Sequence, residues 1–307
     1  MDRTVHQYLS GLHGRSAAHR QSTKAMAGTG DVQIAFYGGN FTGLPEGDQE
    51  ALLRLAAPYI AKGVVDGIRI STRPDYIRRE QMAFLRRYNV RTVEIGAQSL
   101  VEDVLSASRR GHTAADVSRA VALLKAEGIE VGLHLMAGLP GDSPERFAAS
   151  VEAAVALAPD MIRIHPTLVL RDTALVVAYG RGEYVPLSLE EAVCACKYAV
   201  NRFAGAGIPV IRVGLQTTAE MEQPGAVVAG PFHPAFGALV ESSALLDQAS
   251  AMLGEMDVKG RRVVFHVPPR KESSFRGQRN ENLKILAERF GLAGIELAKG
   301  DVFRITL

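Results

Sequence analysis

Cysteine occurs only twice in the 307 residues, as Cys194 and Cys196. That scarcity excludes a disulfide framework and makes a reducing cytoplasm the expected setting. Two positions apart on a helix, the thiols face different directions and make poor joint ligands for a metal. Long apolar runs are missing too. Charges interrupt every hydrophobic stretch, so no segment reaches the roughly 18 apolar residues of a membrane span. The opening Met1–His6 lacks the basic-then-apolar layout of a secretory signal. A net charge of +2 gives no global field that would draw nucleic acid or a membrane, so any basic site must be local. No Gly-x-Gly-x-x-Gly dinucleotide loop, Ser/His/Asp arrangement or paired metal-ligand spacing is visible. Repeats beyond strand–helix alternation and low-complexity segments are absent as well.

What is present is an ordinary globular composition, 47% apolar and 22% charged, on a chain long enough for one large α/β domain and a smaller appendage. Residues 1–30 are polar, with a weak amphipathic helix over Val5–Leu12. Strand and helix signals then alternate through 31–216. The apolar runs Val32–Tyr37, Gly67–Ser71, Thr92–Ile95, Glu130–Met136, Met161–His165 and Val210–Val213 read as strands. Helices are expected at about 48–62, 77–88, 100–108, 113–127, 144–157 and 188–205. Thr113 can cap one of them, Ser143-Pro144 supplies an N-cap and first-turn proline to another, and Ser188–Glu191 forms a capping box. Strands separated by single helices require right-handed crossovers and a parallel sheet. Six such units favour a partial TIM-like (β/α) barrel over a doubly wound open sheet. The remaining residues, 217–307, read as a small α/β extension: a helix near 236–253, a strand at 261–267, a helix at 281–290 and a short hairpin at 294–306.

In either parallel architecture, ligands bind at the carboxyl ends of the strands. This sequence places Gly38-Gly39-Asn40-Phe41-Thr42 after the first strand and Ser71-Thr72-Arg73-Pro74-Asp75 after the second. Glu94, Gly96, Gln98 and Ser99 end the third, and Gly138–Asp142 follows the fourth. Arg163 and His165 end the fifth, and Arg212, Gly214 and Gln216 the sixth. Each group alone is explicable as a turn, cap or stop. Their recurrence at successive strand ends marks a ligand site. His165 is the best placed of His165, His233 and His266 for contact with a substrate.

Taken in order, Tyr37–Thr42, Ser71–Asp75, Glu94–Ser99, Arg110-Gly111-His112 and Gly138–Gly141 resemble the radical S-adenosylmethionine superfamily. Within it the sequence looks like the branch of the Elongator catalytic subunit and, more distantly, like oxygen-independent coproporphyrinogen oxidase. The resemblance covers roughly 31–216 and does not extend to Elongator's acetyltransferase domain. It implies that Gly38 and Gly39 approach the methionine ammonium of S-adenosylmethionine, with Asn40 and Thr42 in the same cofactor loop. Ser71 and Arg73 would face the carboxylate or ribose, Gln98 and Arg110 would also contact the cofactor, and Gly138 would shape the adenine side.

One departure matters. The superfamily's 4Fe–4S cluster is held by a C-x-x-x-C-x-x-C loop after the first barrel strand, and with it S-adenosylmethionine yields a 5′-deoxyadenosyl radical. No such triplet occurs here, and the strand that should precede it is missing as well. Two expectations follow: an N-terminally truncated radical enzyme, or a shortened, nonenzymatic barrel that binds S-adenosylmethionine, RNA or a protein. A conventional aldolase- or isomerase-like barrel would want lysines or clustered carboxylates at the strand ends, and few are there. The segment 259–284 carries Lys259, Arg261, Arg262, Arg270, Lys271, Arg276, Arg279 and Lys284 against Glu272 and Glu281. It reads either as a solvated basic face or, with the Elongator resemblance, as a contact for transfer RNA. No motif points to an electron donor.

Overall fold

The structure, a computed structural model, describes residues 32–215, 221 and 223–307. The helix expected over Val5–Leu12 and the strand-end residue Gln216 lie outside the described residues. The chain runs through β1 (Gln33–Phe36), α1 (Glu46–Ala61), β2 (Gly67–Thr72), α2 (Met82–Arg87), β3 (Val90–Gln98), α3 (Glu102–Ala107) and α4 (Ala114–Ala126). It continues with β4 (Glu130–Ala137), α5 (Pro144–Leu157), β5 (Met161–Pro166), β6 (Val169–Leu170), α6 (Ala174–Gly180), α7 (Leu189–Gly205) and β7 (Val210–Val213). Last come β8 (Val227–Ala229), α8 (Phe236–Gly254), β9 (Arg262–Val267), α9 (Glu272–Arg276), α10 (Glu281–Phe290), β10 (Gly294–Lys299) and β11 (Arg304–Thr306).

The anticipated helix boundaries form for the expected reasons. Thr113 Oγ1 accepts from the Asp116 amide at 3.1 Å, and Ser143 Oγ from that of Arg146 at 3.2 Å. Ser188 and Glu191 close a reciprocal capping box of 3.2 and 2.8 Å. Helix α2 starts later than the sequence suggests, because Pro74–Tyr76 and Arg79–Gln81 form two 3-10 turns first.

Six strands pair in parallel in the order β1-β2-β3-β4-β5-β7, a curled half-barrel with helices on its outer face. Alternation along each strand divides the side chains. Ile68, Ile70, Val93, Ile95, Leu133 and Ile164 face outward and join Leu53, Val121, Phe147 and Phe203 of the helices in one core. The inner face is polar, carrying Gln33, Arg69, Thr92, Glu94, His134, Arg163 and His165. Among the described residues, no helix is long and apolar enough to cross a membrane.

The expected hairpin over 294–306 does not form. β10 and β11 lie on opposite sides of β9, β10 parallel to it and β11 antiparallel. A helical crossover through α9 and α10 delivers β10 parallel to β9. β9, with Val263, Phe265 and Val267 buried, is the strand that profits most from a neighbour on each side. Phe265, Phe275 and Phe303 pack at 4.8–5.9 Å in a second core. Helix α8 belongs to both cores: Phe236 and Val240 lie in the first, Leu245, Ala249 and Leu253 in the second. The ribbon β6–β8 and helix α6 had no periodic signal, being two to seven residues long.

Phe265→Ala should cost about 3–5 kcal/mol. Hydrogen exchange should then show protection lost in β9–β11 and kept in β2–β5; equal loss in both sheets would contradict two separate cores.

Candidate ligand site at the strand ends

The loop after β1 is fixed on one side and open on the other. Gly39 has φ +83°, a left-handed value that side chains rarely tolerate, and among the described residues a Cβ on Gly38 or Gly39 would meet no atom within 4 Å. The pair therefore presents bare backbone to open space. Asn40 and Thr42 are turned inward. Thr72 Oγ1 donates to Asn40 Oδ1 at 3.0 Å, and the Thr42 and Thr72 hydroxyls lie 2.5 Å apart. Gln49 and Gln81 donate to the Thr42 carbonyl at 3.3 and 3.2 Å. These two residues brace the turn.

Next along the edge, Ser71 is partly exposed on the inner face and Arg73 holds Asp75 with a two-pronged contact of 3.0 and 2.8 Å. Arg110 sits close enough for its charge to be felt by Arg73, yet among the described residues its side chain has no hydrogen bond or ion pair. Burial, and then the positive charge of Arg73, pushes its guanidinium below the usual arginine range. Two guanidinium groups, one unpaired and partly buried, form a receptor for an anion. Gln98 is buried at a register shift where β3 leaves β4, with φ +67°, and its Oε1 has no partner among the described residues. Positive φ and an unsatisfied oxygen together make Gln98 a candidate ligand contact.

Gly138 has a different constraint. A Cβ there would come within 2.7 Å of the Leu187 side chain, at φ +77°. Tyr184 donates to the Gly138 carbonyl at 2.6 Å, and Asp142 accepts from the Gly138 amide at 2.9 Å. Burial, then Asp142, raises the Tyr184 phenol to about 12, so it stays a donor. The segment 167–187 is thus latched onto this loop. Between them and residues 107–110 lies a cavity of about 870 Å3 with Met136, Leu139, Leu168 and Leu170 in its walls and Arg110 at its edge.

Deeper on the inner face, Glu94 organises a charged network. Arg69 reaches it at 2.7 Å and Arg163 at 2.8 Å. Tyr37 donates to Glu94 at 3.2 Å, and Arg163 donates to the Tyr37 hydroxyl at 2.6 Å. Above it, His134 and His165 meet edge to face with centroids 4.2 Å apart, each with an Nε2 that has no partner among the described residues. Burial lowers His134 to about 4, and burial with His134 lowers His165 to about 3. His266 and His233 lie elsewhere: His266 contacts Thr306, and His233 accepts from the Ala235 amide. His134, Arg69 and Tyr184 escaped the sequence reading. The signal for the first two was a polar residue at every second position of otherwise apolar strands.

A 4Fe–4S cluster does not fit these residues. Cys194 is exposed and Cys196 buried in the core on α7, its thiol raised to about 12 by burial. Among the described residues no group of three His, Cys, Asp or Glu could hold a metal. S-adenosylmethionine does fit: open glycine backbone, an unpaired Arg110 and an unsatisfied Gln98 share one edge.

The two histidines are neutral in the fold and titrate near 6.5 once unfolded, so the unfolded chain takes up more protons as pH falls below 6.5. Stability should be unaffected by them above pH 7 and fall by about 2 kcal/mol or more by pH 5. Urea midpoints of the wild type and a His134→Gln/His165→Gln variant at the two pH values check this; parallel declines would refute it.

Residues 20–154 match the Radical SAM superfamily and residues 159–244 the Radical_SAM C-terminal domain. A tRNA uridine(34) acetyltransferase of Methanocaldococcus infernus is 36% identical over 133 residues, 42% of this chain and 25% of the relative. Human Elongator complex protein 3 is 32% identical over 183 residues, 53% of this chain and 33% of the relative. The chain thus spans a quarter to a third of the length of these relatives. The solved archaeal Elp3 of Methanocaldococcus infernus, with an N-terminal deletion, superimposes with a TM-score of 0.60 at 25% identity, over 76% of this chain and 58% of that one. With adjoining matches across both parts of the half-barrel, the chain belongs to the radical SAM superfamily.

Proposed function

We propose that this protein binds S-adenosylmethionine along the strand ends and takes transfer RNA as its macromolecular partner. The observation that carries the first part is Arg110: a partly buried cation with no partner among the described residues, beside Arg73 on the sheet edge that also carries the glycine turn. A carboxylate there gains a charge-assisted pair, while the Gly38-Gly39 turn leaves room for an ammonium group. Gln98 would offer its free Oε1 to the same ligand, and the Tyr184 latch would shield the far side from water. The tRNA part rests on the relatives, whose names include tRNA uridine(34) acetyltransferase, and on the basic segment 259–284.

In this superfamily a 4Fe–4S cluster and S-adenosylmethionine together supply a 5′-deoxyadenosyl radical. The two cysteines of these 307 residues do not provide the usual ligands, so the proposal for this chain is cofactor binding without cleavage. A truncated enzyme and a ligand-binding relative of one predict the same behaviour for these residues; an in-frame C-x-x-x-C-x-x-C encoded directly upstream would decide for the enzyme. A cytoplasmic setting accords with both.

Calorimetry with S-adenosylmethionine should show binding that Arg110→Ala weakens roughly 10- to 100-fold, the worth of one charge-assisted hydrogen bond. The melting temperature should hold, since the variant removes an unpaired buried charge. Absence of binding by the wild type would end the proposal. Anaerobic reconstitution with iron and sulfide should give no four-iron chromophore and no 5′-deoxyadenosine; either product would overturn the claim of binding without cleavage.

A further inference from the structure

The basic segment is not uniform. Arg261 is paired with Asp257 at 3.7 Å, Arg262 with Glu296 at 2.8 Å and Arg276 with Glu272 at 2.9 Å. Their fields are cancelled locally. Lys259, Arg270, Lys271, Arg279 and Lys284 have no ion pair among the described residues. Of these, Arg270 and Lys271 share an open groove of about 790 Å3 at the carboxyl ends of β9 and β10.

That is the edge at which parallel strands joined by helical crossovers take their ligands. The groove's walls are rigid. Phe303 packs on Phe275 and Phe265, and a Cβ on Gly300 would come within 2.9 Å of His266, so the 300–303 backbone lies tightly against β9. Pro268 and Pro269 stiffen the opposite wall. Val302, 63% exposed, gives the rim an apolar face. Asp301 is the one acidic residue in the lining, leaving a small local excess of positive charge. Such a site holds a lone phosphate weakly. A polyanion does better, because each neutralised phosphate releases counterions.

We infer that the groove formed by Arg270 and Lys271 at the ends of β9 and β10 is where this protein grips RNA phosphates. This deepens the proposed tRNA partnership and rests on it. It also excludes the paired arginines Arg261, Arg262 and Arg276 from the contact, although they make up much of the basic segment.

Fluorescence anisotropy with a labelled tRNA transcript, titrated across salt concentrations, tests it. Relative to wild type, Arg270→Ala/Lys271→Ala should bind roughly 10- to 50-fold more weakly at 0.1 M salt, with a log–log salt slope shallower by about 1.5. Arg262→Ala/Arg276→Ala should leave affinity and slope nearly unchanged. Both residues of the first pair are exposed and unpaired, so that variant should melt with the wild type. If the wild type binds tRNA and the first pair changes nothing, or the second pair costs as much, the groove is wrong and the tRNA reading stands. If the wild type does not bind tRNA, both fall. If poly-glutamate competes as well as polyuridylate of equal charge, the groove belongs to an acidic protein surface, and the RNA assignment is overturned.

Discussion

The half-barrel depends on a carboxylate placed where hydrogen-bonded strands do not close a barrel. Glu94, at the middle of β3, is held by Arg69 of β2 and Arg163 of β5, and Arg163 goes on to the Tyr37 hydroxyl beyond β1. Three strands lie between β1 and β5 in the sheet, so a side-chain contact across them requires the sheet to curl. Two arginines and a phenol surround one buried carboxylate and leave it fully paired, the condition under which such a charge is tolerated in an interior. Removing Glu94 alone would leave two cations uncompensated. Burial together with the charge of Glu94 keeps the Tyr37 phenol protonated, so it donates to Glu94 while accepting from Arg163.

The same network reaches the candidate site directly, since Tyr37 is the residue before the glycine pair. Its ring lies 5.2 Å from the Arg163 guanidinium, and its hydroxyl is fixed on both sides. A turn of two glycines has no side chains with which to anchor itself. Its position is therefore set from outside, by Tyr37 before it and by the Asn40–Thr42–Thr72 hydroxyl and amide contacts after it. Backbone freedom and rigid flanks together make a loop that is open to a ligand without being loose.

How much of this was legible in the sequence varies with the length scale of the interaction. Caps, crossovers and strand ends are local, and Thr113, Ser143, Ser188 and the ordered strand-end motifs announced them. Contacts across the inner face are not local: Tyr37 and Arg163 are separated by 126 residues. Gly138 shows the difference well. The sequence placed it at a ligand pocket, and the cavity does adjoin its loop, but what forbids a side chain there is Leu187, delivered by a segment without periodic signal. The C-terminal strands failed for another reason. β10 and β11 are near neighbours in sequence, and only the burial demand of β9 decides that it comes between them.

Helix α8 ties the two halves into one device. At its start, a Cβ on Gly214, just past β7, would touch the Phe236 ring at 3.1 Å, so the helix begins at the edge that carries the strand-end site. Farther along, Gln248 lines the basic groove. Twelve residues at 1.5 Å rise put these points about 18 Å apart along one rigid axis. Leu245, Ala249 and Leu253 bury the far end in the second core, and Lys197 of α7 pairs with Asp247 at 2.5 Å. That fixed spacing keeps the strand-end edge and the groove as two separate places on one rigid frame.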